Sequence, residues 1–147
     1  MQLSTILDRA QRFWNLIRES PTFDANFAQL AIVDADPGRY SLSAEISVTD
    51  QMTNSYGTLH GGAIATLADI ISSLAATAYL NRENSGVSIS LNCTFLEGIR
   101  QGETIRMTAV CEKMGKRTVF LRIDFRRADG RLVAYGDHTK VLVVPRL

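Results

Sequence analysis

Asp69 is the residue whose presence most needs a reason. From about Gly62 to Leu80 the chain is almost wholly apolar, and Asp69 is the only charged residue within it. An unpaired buried carboxylate is costly, so chains avoid one unless it is paired, hydrogen-bonded or functional. No Lys or Arg lies between Ile64 and Leu80 to serve as a local partner. Asp69 also stands too far into the segment to cap a helix, because capping acts within the first turn. A carboxylate so placed suits proton transfer or nucleophilic attack. The plain alternative is an aspartate at one solvent-facing point of a helix.

His60 and Gly61 stand where that helix begins. Free backbone N–H groups and the helix dipole there favour developing negative charge, and glycine lets a ligand approach the backbone closely. These are the donors an oxyanion hole requires; the alternative is a glycine-rich helix start with a structural histidine. Nine residues of helix advance about 13.5 Å and rotate about 900°, half a turn beyond two full ones. His60 and Asp69 are therefore expected on opposite faces and far apart. Two antiparallel copies would set the helix start of one against Asp69 of the other, so the spacing predicts a homodimer with interfacial active sites. Ser88, on the polar face of the next strand-like run, can hydrogen-bond a carboxylate or a water; a solvated serine is the alternative.

The elements that must hold these residues read as α+β. Leu3, Ile6, Leu7, Ala10, Phe13, Trp14 and Ile17 form one apolar stripe over residues 3–19, and Ser20-Pro21 stops that helix. Ala28–Ala35 and Tyr40–Val48 read as a hairpin around Asp36-Pro37-Gly38-Arg39, with the second run alternating as a half-buried strand. The segment from 62 to 80 is apolar on nearly every face, so something must wrap it. Alternating runs supply the wrapper: Val87–Phe95, Thr104–Cys111, Val119–Arg126 and Leu132–Val144. The expectation is a curved antiparallel sheet around one long helix, plus an N-terminal helix: a single domain over 1–147, with the helix in 1–21 and the core in 25–144.

Composition narrows the function classes. A net charge of +1 gives no global pull toward nucleic acid or an anionic membrane. Asp69 and several Ser and Thr residues interrupt the one apolar run that approaches the roughly 18 residues of a membrane span. Cys93 and Cys111 read as free thiols, without metal-ligand spacing, and no metal site is expected. No secretory leader pattern opens the chain. The amphipathic, Arg-containing start reads as a docking face, with a transit peptide as the alternative. A cytoplasmic protein is expected, or a mitochondrial one in a eukaryote.

The stretch Asn54-Ser55-Tyr56-Gly57-Thr58-Leu59-His60-Gly61-Gly62-Ala63, followed by Ala65-Thr66-Leu67-Ala68-Asp69, resembles the signature of hotdog-fold acyl-CoA thioesterases. Within them it is most similar to the phenylacetate-pathway and mammalian thioesterase-superfamily branch. The similarity continues through Gly86-Val87-Ser88, Lys113-Met114-Gly115-Lys116 and Gly136-Asp137-His138-Thr139-Lys140, and spans residues 25–144. It implies that Asp69 activates water or attacks the thioester, and that the Gly61 N–H binds the thioester oxygen. It implies that Asn54 and His60 polarise or orient the thioester and that Ser88 positions the water or the carboxylate. It assigns coenzyme A contacts to Lys113, Gly115, Lys116, Arg117 and Thr118, with Lys140 nearby; two cations in a strand turn suit phosphates, or are simply solvated. Phe95 stands at a substrate-binding position where a tyrosine is common, so a hydroxyl contact is lost, and Arg117 replaces a small polar residue. The implied substrate is acyl-CoA, with no cofactor beyond the coenzyme A of that substrate, and the implied assembly is a dimer that pairs into a homotetramer. Two rival readings are a dehydratase or hydratase of acyl thioesters on the same fold and a non-catalytic acyl-CoA-binding protein.

Overall fold

The computed structural model describes residues 1–142. The stripe near the N-terminus forms helix α1, Leu3–Arg18. It buries Ile6, Ala10 and Trp14, and the Trp14 indole N–H donates to the Leu30 carbonyl over 2.9 Å. The N-cap position is Gln2, without a side-chain bond. The Ser20 hydroxyl donates to the Ile17 carbonyl where the helix ends.

A short 3-10 turn, Phe23–Phe27, then delays the first strand. Strand β1 is Ala31–Asp36 rather than 28–35, and β2 is Ser41–Ser47. They form the expected antiparallel hairpin. β2 is not half-buried: Ser41 and Ser43 are as enclosed as their apolar neighbours. Their polar groups are satisfied locally, since the Ser43 hydroxyl bonds Thr108 and the Ser41 carbonyl accepts from the Tyr79 hydroxyl.

Helix α2, Gly61–Leu80, is the long apolar segment. It has the length and hydropathy of a membrane span, but 72% of its apolar window is buried within this chain. The wrapper is one six-stranded sheet in the order β1-β2-β4-β5-β6-β3. β3 is Val87–Phe95, β4 Thr104–Met114, β5 Thr118–Arg127 and β6 Leu132–Val141. The end of the last run, at 143–144, lies outside the described residues. Inward Ile105, Met107, Ala109, Leu121, Ile123 and Phe125 of β4 and β5 pack beneath α2 as their alternation predicts.

β3 departs from that pattern. It is an edge strand, paired among the described residues with β6 alone. Ile89 is 60% and Phe95 54% exposed, and Val87 and Leu96 are also open. A bulge lies between Ser88 and Ser90, where Ser88 opposes Lys140 but Ser90 opposes Thr139. The extra residue shifts the pleat by one, so Ser88 leaves the outer face of Ser90 and Asn92 and turns toward α2. Ser88 stays exposed, as alternation expects, but its hydroxyl reaches inward to His138.

Candidate active site

Asp69 sits at mid-length on the only polar stripe of α2, with Gly62 and Thr66 before it and Ser73 after it. Its side chain is 45% exposed in the single chain, so it is not sealed inside the helix's apolar surroundings as expected. Nor does it lack a cation. The partner comes from another element, because the Lys140 ammonium on β6 lies 3.8 Å from Asp69 Oδ1. Lys140 is itself 3% exposed and donates to the Ser73 hydroxyl over 2.9 Å. Ser73 in turn donates to Asp69 Oδ1 over 3.2 Å. Burial pushes the Lys140 pKa down, and the Asp69 charge opposes that shift. Lys140 is thus turned beneath the carboxylate, away from the exposed turn at 113–118 where a coenzyme A contact was expected.

His138, the inward residue two before Lys140 on β6, completes this cluster. It is fully enclosed, with Nδ1 2.7 Å from the Ser72 hydroxyl and Nε2 2.7 Å from the Ser88 hydroxyl. Burial, then the nearby Lys140 charge, pushes its pKa down to about 4. The ring is therefore neutral near pH 7, and its 3.9 Å approach to Asp69 is no ion pair. With the Ser72 proton on the Ala68 carbonyl at 2.7 Å, the Ser72 oxygen accepts from His138 Nδ1–H. Nε2 then accepts from Ser88, whose lone pairs remain free for an incoming O–H. Ser72, Ser73 and His138 were not singled out from the sequence. The signal was two polar residues, His138 and Lys140, at inward positions of the last strand.

Gly61 begins α2 at the opposite end of β3. Its N–H makes no hydrogen bond among the described residues. It opens into a groove of about 340 Å³ with Asn54, Thr58, Ile64 and Phe95. A Cβ built on Gly61 would meet the Phe95 ring at 3.4 Å, so that ring is the facing wall. Asn54 Oδ1 accepts from the N–H groups of Tyr56 and Thr58 at 3.0 and 3.2 Å, fixing the loop that delivers the helix start.

His60 is the N-cap residue, with extended backbone outside the helix. Its Nδ1 accepts from the Gly62 N–H over 2.8 Å, which leaves Nε2–H as a donor. The half-turn offset from Asp69 expected for a helical His60 therefore does not apply. His60 faces a neighbouring groove with Phe23, Phe27, Met52 and Thr66.

The remaining predicted residues form the β4–β5 turn. Lys113, Lys116, Arg117 and Thr118 are exposed, and the Gly115 N–H closes the turn on the Thr118 carbonyl at 2.8 Å. Among the described residues none of these three cations has an ion-pair partner. The turn lies beside Val141, which also pairs with Val87, so it belongs to the Ser88 end of β3. Phe95 opposes Ala134 at the other end. Phe95 lies seven residues along the strand from Ser88, a span of about 23 Å. One chain therefore brings together Asp69, Ser88 and Lys140, and separately Gly61, Asn54 and Phe95.

Comparison with known proteins agrees with this architecture. The family model described as thioesterase superfamily matches residues 56–134. Acyl-coenzyme A thioesterase 13 of Mus musculus is 36% identical over 141 residues, covering 95% of this chain and 99% of that protein. The protein of the same name from Homo sapiens is 39% identical over 82% of this chain and 84% of its own length. Among solved structures, zebra fish thioesterase superfamily member 2 superposes with a TM-score of 0.84 at 36% identity, covering 93% of this chain and 98% of that one. The PaaI protein from the E. coli phenylacetic acid degradation operon shares the fold, with a TM-score of 0.77 at 21% identity, over 95% of this chain and 96% of its own.

Proposed function

Given that the chain belongs to the thioesterase superfamily and is a thioester hydrolase, we propose that it hydrolyses acyl-CoA at sites shared by two copies of the chain. The observation that carries the two-chain reading is the placement of the two half-sites at opposite ends of one edge strand. β3 exposes backbone donors and acceptors together with Val87, Ile89 and Phe95, an edge that invites another strand. Antiparallel pairing of two β3 strands about a two-fold axis sets the Gly61 end of one beside the Asp69 end of the other. Pairing of two such dimers into a homotetramer, as the resemblance implies, belongs to the same proposal.

In the assembled site the thioester carbonyl rests on the Gly61 N–H, with Asn54 and His60 at its flanks. Asp69 of the second copy takes a proton from a water that donates its other O–H to the free lone pair of Ser88. The water oxygen attacks the carbonyl carbon, and the oxyanion forms against the Gly61 N–H. Collapse breaks the C–S bond, and the proton held by Asp69 passes to the departing thiolate. The reaction so read draws on no cofactor beyond the substrate's own coenzyme A. The phosphates are met by Lys113, Lys116 and Arg117.

Complementation tests the shared site. Asp69→Asn and Gly61→Pro are each expected to be inactive. Co-refolding them in equal amounts makes mixed dimers with one intact site, restoring about a quarter of wild-type activity. No recovery in a sample shown to contain mixed dimers would place both residues in one chain's site. Single turnover in 18O-water separates base from nucleophile: base catalysis puts label into the first acid released, whereas attack by Asp69 forms an anhydride that water opens at the aspartyl carbon, releasing unlabelled acid and leaving the label in Asp69.

A further inference from the structure

We propose that Lys140 is a positioning residue for the hydrolytic carboxylate rather than a contact for the phosphates of coenzyme A. The inference rests on the reading of Asp69 as the hydrolytic group, and its test keeps the two separable. The Lys140 ammonium is almost wholly enclosed, with Ser73 Oγ at 2.9 Å and Asp69 Oδ1 at 3.8 Å. A phosphate reaching the exposed turn at 113–118 does not meet an ammonium turned into the helix–sheet interior. Ser73 links the two charges, accepting from Lys140 and donating to Asp69. This chain of bonds fixes one carboxylate oxygen and leaves the exposed side of Asp69 open to water.

A buried ammonium persists only when it is compensated. Asp69, at 3.8 Å, is its counter-charge, and Asp24 on the Phe23–Phe27 turn adds a weaker attraction. Burial and then the repulsion of Asp69 raise the Asp24 pKa, and the Lys140 charge opposes that rise. Asp24 likewise helps hold Lys140 in its charged form. The groups facing this ammonium are therefore Asp69 and Ser73 from α2, Asp24 from the turn, and neutral His138 from its own strand, with Asp137 beyond it.

The test compares octanoyl-CoA with the octanoyl thioester of N-acetylcysteamine, which carries no phosphate. Lys140→Met is expected to lower kcat by about ten- to a hundredfold on both substrates, with the ratio of their KM values unchanged. A loss confined to octanoyl-CoA and expressed in KM would make Lys140 a phosphate contact and overturn the proposal, as would full activity on both substrates. Should Lys140→Met fail to fold, Ser73→Ala decides instead. It is expected to lose kcat on both substrates by about three- to tenfold, and wild-type kcat in it would overturn the relay. Asp69→Asn is assayed alongside. Activity retained there would sink the assignment of Asp69 itself, whereas an inactive Asp69→Asn beside a fully active Lys140→Met would sink only the role of Lys140.

Discussion

At one end of β3 the polar groups are backbone and loop: the Gly61 N–H, the Asn54 turn and the exposed Phe95 ring. At the other end they are side chains from three elements: the half-exposed Asp69 of α2 and exposed Ser88 of β3, backed by enclosed Ser72 and Ser73 of α2 and His138 and Lys140 of β6. On the proposed reading the first end offers a fixed dipole to a charge that forms only during reaction. The second, on the same reading, handles protons, and its enclosed groups are held by burial and mutual hydrogen bonding. Electrostatic stabilisation needs position alone and can be built on a glycine. Proton handling needs a controlled environment and is built where the core can be closed around it.

The largest effects are expected where each end loses its defining atom. Asp69→Asn should lower kcat by about 10²–10⁴. Gly61→Pro should lower it by about 10²–10³ by deleting one oxyanion donor. Proline suits the first helical position, and His60 before it is already extended, so the helix is expected to survive. Gly61→Ala keeps the N–H and meets Phe95 at ordinary contact distance, so it should stay within a few-fold of wild type. Steady-state kinetics with circular dichroism separates these outcomes, and a Gly61→Pro enzyme as active as Gly61→Ala would break the comparison.

The join between the ends comes next. Ile89→Lys places a charge on the exposed edge strand and should raise the dimer dissociation constant about tenfold or more. Sedimentation and activity should then fall together on dilution. Activity that persists in monomer would show that one chain suffices.

Acid stability reports on the enclosed end alone. The unfolded chain's His138 takes up a proton near pH 6.5, whereas the folded ring resists until about pH 4. Between those limits the unfolded state binds more protons, so stability falls as pH drops from about 6.5 to about 4, by about 3 kcal/mol in all. Urea unfolding across this window should show that slope, and His138→Gln should remove its share of it.

The smallest effect belongs to the exposed turn. Lys116→Ala with Arg117→Ala should raise KM for acyl-CoA by about two- to fivefold, more at low salt. It should leave the N-acetylcysteamine thioester unaffected.

How much of this was legible depended on how local each signal is. The all-round apolarity of α2 and the clean alternation of β4 and β5 announce a helix inside a sheet, because burial repeats at the period of each element. Asp69 and Gly61 were visible because each breaks a local rule. β3 was misread because its alternation assumes a covered face, whereas it is an open edge with a bulge that re-aims Ser88. The compensating lysine of Asp69 was missed because it arrives on the last strand, which no window around the helix can see. The role of His138 was hidden likewise: its partners, Ser72 and Ser88, lie 66 and 50 residues away.

The open edge of β3 has a consequence for how such an enzyme is controlled. On the two-chain reading, a lone chain carries an electrophile clamp without a base and a base without a clamp. Output per chain then rises with abundance, more steeply than in proportion while dimers are scarce. Synthesis and dilution would act on hydrolysis as a threshold, with no effector molecule needed.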